Sequence, residues 1–395
     1  MKVCIEISTL QARFAGIAYY GWFLADELAR SAPDIELSGF DGLAYAPLDH
    51  ARLDYLRAVN DGKIAPPRID KARLYGRVRN IGLVRGAYRA VKAMRFRQGV
   101  DGCDVFHALN FLPPSPRPDR VVPLLHDMSH ERFPETHPAE RVAWMRRGAR
   151  HLGAYPVLNT ITRFSADEIA EIYDIDRDRL RITNPGRNPI YDATSLPGDQ
   201  AVLSANKLTA TSYFLAVGTL EPRKNLKTVL EAFRTLPSEL RRAHPIVVIG
   251  QLGWGDAGLA AGAELVAEGS LRVLGYQPDE HLAALYRQSR TLLFPSIYEG
   301  FGMPTVEALS SGKRPILSDI PVMHEIAAAE ADFVEATSIE AWAVALRQAI
   351  DDSGHDDGRY VESACARGRL YDWRRNAAET RAIYAEAAAS FGTAS

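Results

Sequence analysis

Two carboxylates bracket a glycine-rich turn in the second half of the chain, and their spacing suggests a binding site. Glu299 stands just before Gly300 and Gly302, and Glu307 lies eight residues after Glu299. A helix is predicted from Met303, and its free N–H groups and aligned dipole attract phosphate and other anions. A carboxylate on each side of an anion site would suit a ligand with sugar, diphosphate and ribose in a row. In the other interpretation Glu307 only supports the helix N-terminus and Glu299 is solvated.

Two adjacent cations form the second candidate for chemistry. Arg223 and Lys224 lie in the segment GTLEPRKNL, Gly218 to Leu226, which follows a predicted strand and precedes a predicted helix. On such a loop both side chains can reach a diphosphate, the Arg as a fork and the Lys as a point charge. If a nucleoside diphosphate leaves during the reaction, these cations neutralise the charge that grows on it.

Both motifs, in this order, resemble those of the large glycosyltransferase family 4. The segment YEGFGMPTVEALSSGKRPILSDIP is similar to its E-x7-E element, and GTLEPRKNL is similar to its donor-diphosphate segment. The resemblance covers nearly the whole chain and is more specific in the second half. It implies an α/β protein of the GT-B fold, with two Rossmann-like domains facing across a cleft.

The same resemblance implies roles for individual residues in a retaining, front-face transfer, in which the leaving phosphate accepts the proton of the acceptor hydroxyl. Glu299 would bind the donor sugar and Glu307 the ribose, while backbone amides of the turn would bind sugar and phosphate. The predicted donor-binding residues are Gly16, Gly218, Arg223, Lys224, Tyr276, Glu299, Gly300, Phe301, Gly302, Met303 and Glu307. The predicted catalytic residues are His126, Arg223, Lys224 and Glu299.

His126 and Gly16 are the candidates in the first half. His126 follows the predicted strand Val121 to Leu125, and the carboxyl ends of parallel strands are where open α/β sheets bind ligands. The resemblance implies that a His at such a strand end lines the donor-sugar pocket; His107, His130 and His137 are interpreted as loop or packing residues. Gly16 lies in a loop predicted from Thr9 to Gly21, where the family has a glycine-rich turn, or it is an ordinary turn glycine.

Metal ligation is not indicated. The two Asp-x-Asp matches, Asp174-Ile-Asp176 and Asp176-Arg-Asp178, stand at a predicted helix end rather than after an apolar strand. We therefore expect no metal and no cofactor, with the nucleotide sugar as substrate.

Strand, turn and helix alternate in both halves, which is typical of parallel sheets of Rossmann type. A chain of 395 residues exceeds what one core usually serves. We predict an acceptor-binding domain over 1–195, a donor-binding domain over 196–370 and a last helix, 371–395, that packs back on the first domain. Residues 190–210 are polar and non-periodic and are interpreted as a linker, and Ser165 and Glu168 are predicted to begin a helix as a capping box.

Composition suggests a cytoplasmic protein. The three cysteines are widely separated, which fits reduced thiols in a reducing compartment. The sequence has no apolar run of the roughly 20 residues that would span a bilayer, and Glu6 interrupts the apolar N-terminus, which therefore reads as a strand and not as a secretion signal.

One segment, Lys71 to Gln98, carries nine Lys and Arg and no Asp or Glu. Its apolar residues recur at steps of three and four, which predicts an amphipathic helix. Such a helix suits an anionic membrane surface, so we expect a peripheral protein on the inner face of the plasma membrane; the alternative is a solvated helical face. Nucleic acid is disfavoured, because aromatic residues are sparse.

The expected function is a retaining hexosyltransferase of cell-surface polysaccharide assembly. Within the family, GTLEPRKN, GQLGWGD and LHDMSHERFPE resemble enzymes that move mannose from GDP-mannose to lipid-linked acceptors in O-antigen or exopolysaccharide synthesis. The alternatives are another donor, such as a UDP- or dTDP-sugar for glucosyl or rhamnosyl transfer, and a non-catalytic sugar-nucleotide-binding protein of the same fold.

Overall fold

The computed structural model describes the chain except residues 12, 13, 15, 65–81, 256–257, 353–357 and 393–395, and leaves out the side chains of 82–85 and 392. The helices of the described residues are α1 Gly16–Ser31, α2 His50–Asn60, α3 Gly82–Val100, α4 Ser129–Arg132, α5 Ala139–Ala149, α6 Arg163–Tyr173, α7 Asp199–Ala205, α8 Leu226–Arg234, α9 Ser238–Ala243, α10 Ala263–Glu268, α11 Asp279–Gln288, α12 Met303–Ser310, α13 Pro321–Ala327, α14 Ile339–Asp351, α15 Gly358–Arg369 and α16 Trp373–Gly392. The strands are β1 Lys2–Glu6, β2 Glu36–Phe40, β3 Tyr45–Pro47, β4 Val105–Ala108, β5 Val121–Leu125, β6 Leu158–Thr160, β7 Leu180–Ile182, β8 Phe214–Val217, β9 Ile246–Ile249, β10 Leu271–Gly275, β11 Thr291–Phe294, β12 Ile316–Ser318 and β13 Asp332–Val334.

The chain divides into two compact units. Unit 1 comprises Met1–Met128, Ala143–Gly186 and Asp372–Ser395, and unit 2 comprises Ser129–Val142 and Arg187–Tyr371. The division differs from a simple split at residue 195 in two ways. Residues 129–142 group with unit 2, and the main boundary lies at residues 186 and 187.

Unit 1 contains one seven-stranded sheet in the order β3-β2-β1-β4-β5-β6-β7. All its pairs are parallel except β2 with β3. The central strands β4, β5 and β6 are short and buried at every residue, as expected where helices cover a parallel sheet, whereas the edge strand β3 has no buried residue. Its core includes the rings of Phe40, Phe96 and Phe106, of which Phe96 comes from α3.

Unit 2 contains a parallel six-stranded sheet in the order β10-β9-β8-β11-β12-β13. The order of the strands reverses between β8 and β11, which lie side by side with Thr291 opposite Phe214. In an open α/β sheet the crevice at such a switch point is where ligands bind. The loops that begin at Gly218 and at Pro295 are therefore brought together at this edge.

The last helix, α16, belongs to unit 1 and packs there through aromatic and polar contacts. The Trp373 ring stacks on Phe23, with ring centroids 5.3 Å apart and planes 8° from parallel. Gly186 makes this possible, because a Cβ on it would lie 2.3 Å from the backbone nitrogen of Trp373. Deeper in the unit, the buried Tyr384 hydroxyl lies 2.8 Å from His107 Nδ1.

Three local expectations from sequence are wrong. Helix α1 begins at Gly16, so residues 16–21 of the predicted loop Thr9 to Gly21 are helical. The cap of α6 is Thr162, whose hydroxyl accepts from the backbone N–H of Ser165 at 3.0 Å; Ser165 is itself inside the helix. Residues 190–210 are not a simple linker, since they contain α7.

Helix α7 is held in unit 2 by a buried ion pair. Arg287 of α11 binds Asp199 through both carboxylate oxygens, Nε at 2.9 Å from Oδ2 and Nη2 at 2.6 Å from Oδ1. Another guanidinium nitrogen of Arg287 donates to the carbonyl of Ile190 at 2.8 Å. The segment predicted as a linker is thus anchored by groups that a polarity pattern does not distinguish from solvated ones.

No helix in the described part of the chain combines the length and the apolar character that crossing a membrane requires.

Candidate active site

The loops after β8 and β9 approach each other closely because two glycines lack side chains. Gly218 and Gly250 have φ values of +148° and +150°, which favour glycine. A Cβ on Gly250 would lie 1.8 Å from the carbonyl oxygen of Gly218. A Cβ on Gly218 would meet the Lys224 side chain at 3.6 Å, so Lys224 lies directly over the Gly218 backbone.

Arg223 and Lys224 are positioned by a short 3-10 turn, Pro222–Lys224, that ends at Asn225. Asn225 adopts the left-handed conformation, with φ 52°, and its side-chain amide donates to the carbonyls of Pro295 at 3.1 Å and Ala336 at 2.7 Å. The backbone N–H of Ile297 donates to the Arg223 carbonyl at 3.0 Å. These bonds fix the loop of the two cations to the loop that follows β11.

The two cations and two carboxylates form a compact cluster at this edge of the unit 2 sheet. Lys224 Nζ donates to Glu299 Oε1 at 2.5 Å, and Arg223 Nη1 lies 3.0 Å from Glu299 Oε2. Arg223 Nη2 donates to Glu221 Oε1 at 2.7 Å, and another Arg223 N–H donates to the Tyr298 carbonyl. The Lys224 ammonium also lies 5.0 Å from the centroid of the Phe294 ring.

Burial and charge act in opposite directions on Glu299. Its side chain is almost fully buried, and burial alone would raise its pKa, but Arg223 and Lys224 outweigh it and the pKa is lowered. Glu299 is therefore a carboxylate at neutral pH, with lone pairs that can accept hydroxyl hydrogens of a sugar. The formal charges of Arg223, Lys224, Glu221 and Glu299 cancel, so an arriving diphosphate competes with the carboxylates for the two cations.

The glycine-rich turn presents a helix N-terminus beside this cluster. Gly302, with φ +94°, precedes α12, and a Cβ on it would lie 2.7 Å from Met323 Cε. The Phe301 side chain is buried against Tyr371, with ring centroids 5.2 Å apart, so Phe301 can serve a ligand only through its backbone. Gly300 and Met303 flank these two residues, and Met303 begins the helix.

Glu307 lies on α12, partly exposed, in the same unit as Glu299. Burial raises its pKa to about 7, although the neighbouring Tyr286 hydroxyl lowers it. No cation contributes to the pKa shift of Glu307, so this carboxyl titrates near neutral pH. Glu299 does not, because two cations lower its pKa. The two glutamates that look equivalent in sequence thus differ in protonation.

The first-half candidates lie in unit 1. His126 follows β5 and is buried, and its Nε2 lies 2.8 Å from the carbonyl oxygen of Leu109. A carbonyl only accepts, so Nε2 carries the proton and only Nδ1 can accept from a ligand hydroxyl. Burial lowers the pKa of His126, which favours the neutral ring. Gly16 is exposed at the start of α1, where the described residues leave space for a side chain.

The other predicted residues are placed as follows. His107 is buried against Tyr384, and burial together with His126 lowers its pKa to about 3. His137 is packed against Trp254 in unit 2, with ring centroids 5.7 Å apart. Tyr276 directly follows β10 and is partly exposed. His130 is buried on α4.

The Asp-x-Asp residues act as helix caps. Asp174 ends α6 in the left-handed conformation, and Asp176 accepts from the backbone N–H of Asp178 at 3.0 Å. Across the described residues, His, Cys, Asp and Glu form no group of three or more that could hold a metal ion.

Sequence reasoning missed three members of the site. Glu221 is buried and binds Arg223, Asn225 joins the two loops, and Phe294 lies under Lys224. Glu221 and Asn225 stand inside GTLEPRKNL, so a carboxylate two residues before Arg223 was a visible signal. Nothing in the sequence around Phe294 indicates contact with a cation, since the apolar pattern of its strand predicts only burial.

Comparisons with known proteins agree with this geometry. Residues 204–364 match the family described as "Glycosyl transferases group 1". The chain is 30% identical over 390 residues to O-antigen chain mannosyltransferase B of Escherichia coli, covering 97% of this chain and 99% of that one. It is 27% identical over 188 residues to O-antigen chain mannosyltransferase RfbU of Salmonella typhimurium, covering 48% and 49% of the two chains.

Solved structures show the fold. WaaG, a glycosyltransferase involved in lipopolysaccharide biosynthesis, aligns with a TM-score of 0.65 at 16% identity over 98% of both chains. Anabaena Alr3699/HepE in complex with UDP and glucose aligns with a TM-score of 0.67 at 13% identity, over 98% of this chain and 100% of that one. The parallel sheets of both units, the donor-type motifs and the whole-chain relative lead to one assignment: the chain belongs to the glycosyl transferases group 1 family, as a glycosyltransferase of the GT-B fold.

Proposed function

We propose that this glycosyltransferase moves mannose from GDP-mannose to a saccharide acceptor, with retention of configuration, in the assembly of a cell-surface polysaccharide. The mannosyltransferase names of its relatives support the sugar and the context. The observation that carries the chemistry is the cluster in which Arg223 and Lys224 both bind Glu299. It offers two cations to a diphosphate and an ionised carboxylate to a sugar.

In this proposal the chain's own residues supply the electrostatics of the transfer. Arg223 and Lys224 bind the diphosphate and neutralise the charge that develops as the sugar–oxygen bond breaks. Both oxygens of Glu299 already accept from cations, which suits holding sugar hydroxyls rather than attacking carbon. The departing phosphate takes the acceptor's proton on the same face, so configuration is retained. The neutral ring of His126 accepts from a hydroxyl of the donor sugar.

The test is transfer with a panel of donors. Purified protein is incubated with GDP-mannose, UDP-glucose or dTDP-rhamnose, and release of nucleoside diphosphate is measured with and without a mannose-containing acceptor. We expect GDP-mannose alone to be consumed with the acceptor and to raise the melting temperature most. Turnover of another donor would overturn the mannose assignment, and binding without any turnover would favour the non-catalytic alternative.

Donor binding should strengthen with pH through Glu307. Ribose hydroxyls bind the ionised carboxylate, and a pKa of about 7 leaves most of this group protonated at pH 6. We expect the affinity for GDP-mannose to rise by about tenfold between pH 6 and pH 8. The diphosphate of this donor is a diester and does not itself titrate in that range. Glu307→Gln should bind weakly and with no such pH dependence, as measured by calorimetry; an unchanged slope would remove Glu307 from the nucleotide site.

The raised pKa of Glu307 also determines in which direction the stability of the protein changes with pH. Stability that comes from keeping the group neutral is complete below its unfolded pKa and is lost as pH rises through about 7. Glu307→Gln should therefore lose less stability than the wild type between pH 5 and pH 8.

Activity should survive excess chelator, because side-chain cations hold the diphosphate in this proposal. The expected result is an unchanged initial rate with GDP-mannose after incubation and assay in EDTA. Loss of activity in EDTA that Mg²⁺ or Mn²⁺ restores would count against this mechanism.

We further propose that α3 brings unit 1 to an anionic membrane surface where a lipid-linked acceptor lies. Arg89 and Arg95 are exposed on α3, and so are two apolar residues, Val91 and Met94, at 41% and 46%. Lys92 is not available for lipid, since its ammonium lies 2.8 Å from the carboxylate of the buried Glu6. The basic residues before Gly82 lie outside the described residues.

Vesicle sedimentation tests this surface. Each exposed Arg near an anionic leaflet contributes about 1 kcal/mol, so we expect Arg89→Gln with Arg95→Gln to weaken binding by roughly tenfold or more at low salt. Binding of the wild type should fall at high salt, and donor hydrolysis should not change in the variant. The matched control is Arg234→Gln with Arg242→Gln, which removes the same charge from the exposed ends of α8 and α9. Equal loss in both double variants would leave α3 a solvated face.

A further inference from the structure

A cleft of about 220 Å³ in unit 1 lies apart from the residues assigned so far. It is formed where the loop after β4 meets the second half of α5. The loop contributes apolar lining from Leu112, Pro113, Pro114 and Pro116. Gly148 lets this loop approach α5, because a Cβ on Gly148 would lie 2.2 Å from Leu112 Cδ1. The cleft is therefore a consequence of specific packing and not of a gap between unrelated surfaces.

The polar side chains that line the cleft are rich in hydrogen-bond donors, and two of them, Trp144 and Arg147, can only donate. They comprise the indole of Trp144, the guanidinium of Arg147, the imidazole of His151 and the buried Tyr155, and no carboxylate or carboxamide side chain lines the cleft. Within the described part of the chain, no side-chain hydrogen bond or ion pair engages Arg147 or His151. The sequence from 142 to 166 contains no Asp or Glu. The Arg147 guanidinium and the His151 ring are thus available to a ligand.

We infer that this cleft binds a phosphate group that is carried on an apolar body. Phosphate oxygens accept from the N–H groups of Trp144 and Arg147, which cannot themselves accept, and Arg binds phosphate oxygens as a fork. The proline and leucine lining, with the Trp144 ring, suits a hydrocarbon chain. A volume below the roughly 300 Å³ at which drug-sized pockets begin fits a head group and the first chain atoms, not a whole lipid.

Two simpler accounts explain less of the cleft. Basic residues in the last turn of α5 complement the helix dipole, which accounts for the charge of Arg147 but not for the apolar lining. A neutral sugar would stack on Trp144, but its hydroxyls also donate, and the lining side chains offer no carboxylate or amide oxygen to accept them. A phosphate ester carried on an apolar body matches both the guanidinium and the apolar lining.

A contact to α3 favours a lipid as the source of the phosphate. Arg97 Nε of α3 donates to the hydroxyl of Ser115 at 3.0 Å, within the proline-rich loop that lines the cleft. The cleft therefore adjoins the helix that we propose to meet the membrane. The inference does not rest on the identity of the donor or on the transfer reaction.

Calorimetry on the full-length protein at fixed ionic strength tests the inference. The probes are dihexanoyl phosphatidate below its micelle concentration, glycerol 3-phosphate, inorganic phosphate and octyl glucoside. We expect the phosphatidate to bind more tightly than the two chain-free phosphates, and octyl glucoside not to bind. If all three phosphates bind equally, the source is a free phosphate and the lipid part of the inference is overturned.

Variants identify the cleft as the place of binding. Arg147→Gln should weaken phosphatidate binding by about tenfold, since a charge-assisted bond is lost, and His151→Gln should weaken it less. The matched control is Arg150→Gln, another exposed cation on the same segment that does not line the cleft. Equal affinity in Arg147→Gln and Arg150→Gln, or binding of octyl glucoside as tight as that of the phosphatidate, would overturn the site. Both positions are exposed, so folding should not change, which thermal unfolding checks.

Discussion

Lys224→Ala is expected to lower kcat by roughly tenfold to a hundredfold. A charge-assisted hydrogen bond contributes about 1.5–3 kcal/mol, and each 1.4 kcal/mol corresponds to a factor of ten in rate. The effect should appear in kcat as well as in kcat/KM, because charge on the leaving diphosphate grows in the transition state. Steady-state kinetics with GDP-mannose measures both constants. A rise in KM with an unchanged kcat would mean that Lys224 serves binding alone.

The control for Lys224 lies three residues along the chain. Lys227 is on the solvent side of α8, with its side chain 60% exposed, so Lys227→Ala makes the same chemical change without reaching the cluster. Lys224 also binds the buried Glu299, and its loss should cost some stability. Rates are therefore compared at temperatures where unfolding curves show both variants fully folded. Wild-type kinetics in Lys224→Ala would remove it from the reaction.

Arg287→Ala is expected to lower the free energy of unfolding of unit 2 by about 3–5 kcal/mol. Removing one partner of a buried ion pair leaves the other charge uncompensated, and the side chains of Arg287 and Asp199 are only 3% and 4% exposed. Urea unfolding followed by circular dichroism measures the change. The two units need not unfold in one transition. The unfolding of unit 2 is identified as the transition that moves to higher urea when GDP-mannose is added.

Two comparisons separate this pair from ordinary surface charges. Arg234→Ala removes an ion pair whose partners are 46% and 80% exposed, and it should cost less than about 1 kcal/mol. Replacing both Asp199 and Arg287 by apolar residues of similar size should recover much of the lost stability. An Arg287→Ala variant as stable as Arg234→Ala would show that α7 does not depend on the buried pair.

The pH dependence of the Asp199–Arg287 pair follows from the pKa of Asp199. Burial would raise this pKa, but the bonds from Arg287 and its neighbours outweigh burial and lower it. Stability from a lowered carboxyl pKa is present above the unfolded value, near 4, and is lost as pH falls through the folded value. The wild type should therefore lose this contribution only in acid.

Local patterns predicted those parts of the fold that depend on local physics. Strands such as Ile246–Ile249 and Thr291–Phe294 are short apolar runs closed by Gly250 and Pro295, a pattern typical of buried parallel strands. The start of α1 was missed because Gly16 is a poor helix former, and its place in a helix is decided by packing of residues such as Leu24 and Leu28. The anchoring of α7 was missed because Asp199 and Arg287 are 88 residues apart.

The same limit applies to the candidate site. Arg223 and Lys224 are adjacent in the sequence, so a joint role could be predicted for them, and both lie in one cluster with Glu299. The sequence does not show whether Glu299 and Glu307 are ionised, because their pKa values depend on cations that a different loop brings close to them. Glu299 receives two of them, and Glu307 receives none among the causes of its shift.

The place of α16 in unit 1 affects how the chain can fold as it is made. Residues 1–128 and 143–186 emerge from the ribosome long before Trp373 and Tyr384, which supply buried rings to the same unit. Unit 2 has all its residues by Tyr371, so it can finish first although it begins later. Until α16 arrives, Phe23 and His107 lack their partners, and the N-terminal sheet is a nascent intermediate that chaperones and proteases can bind.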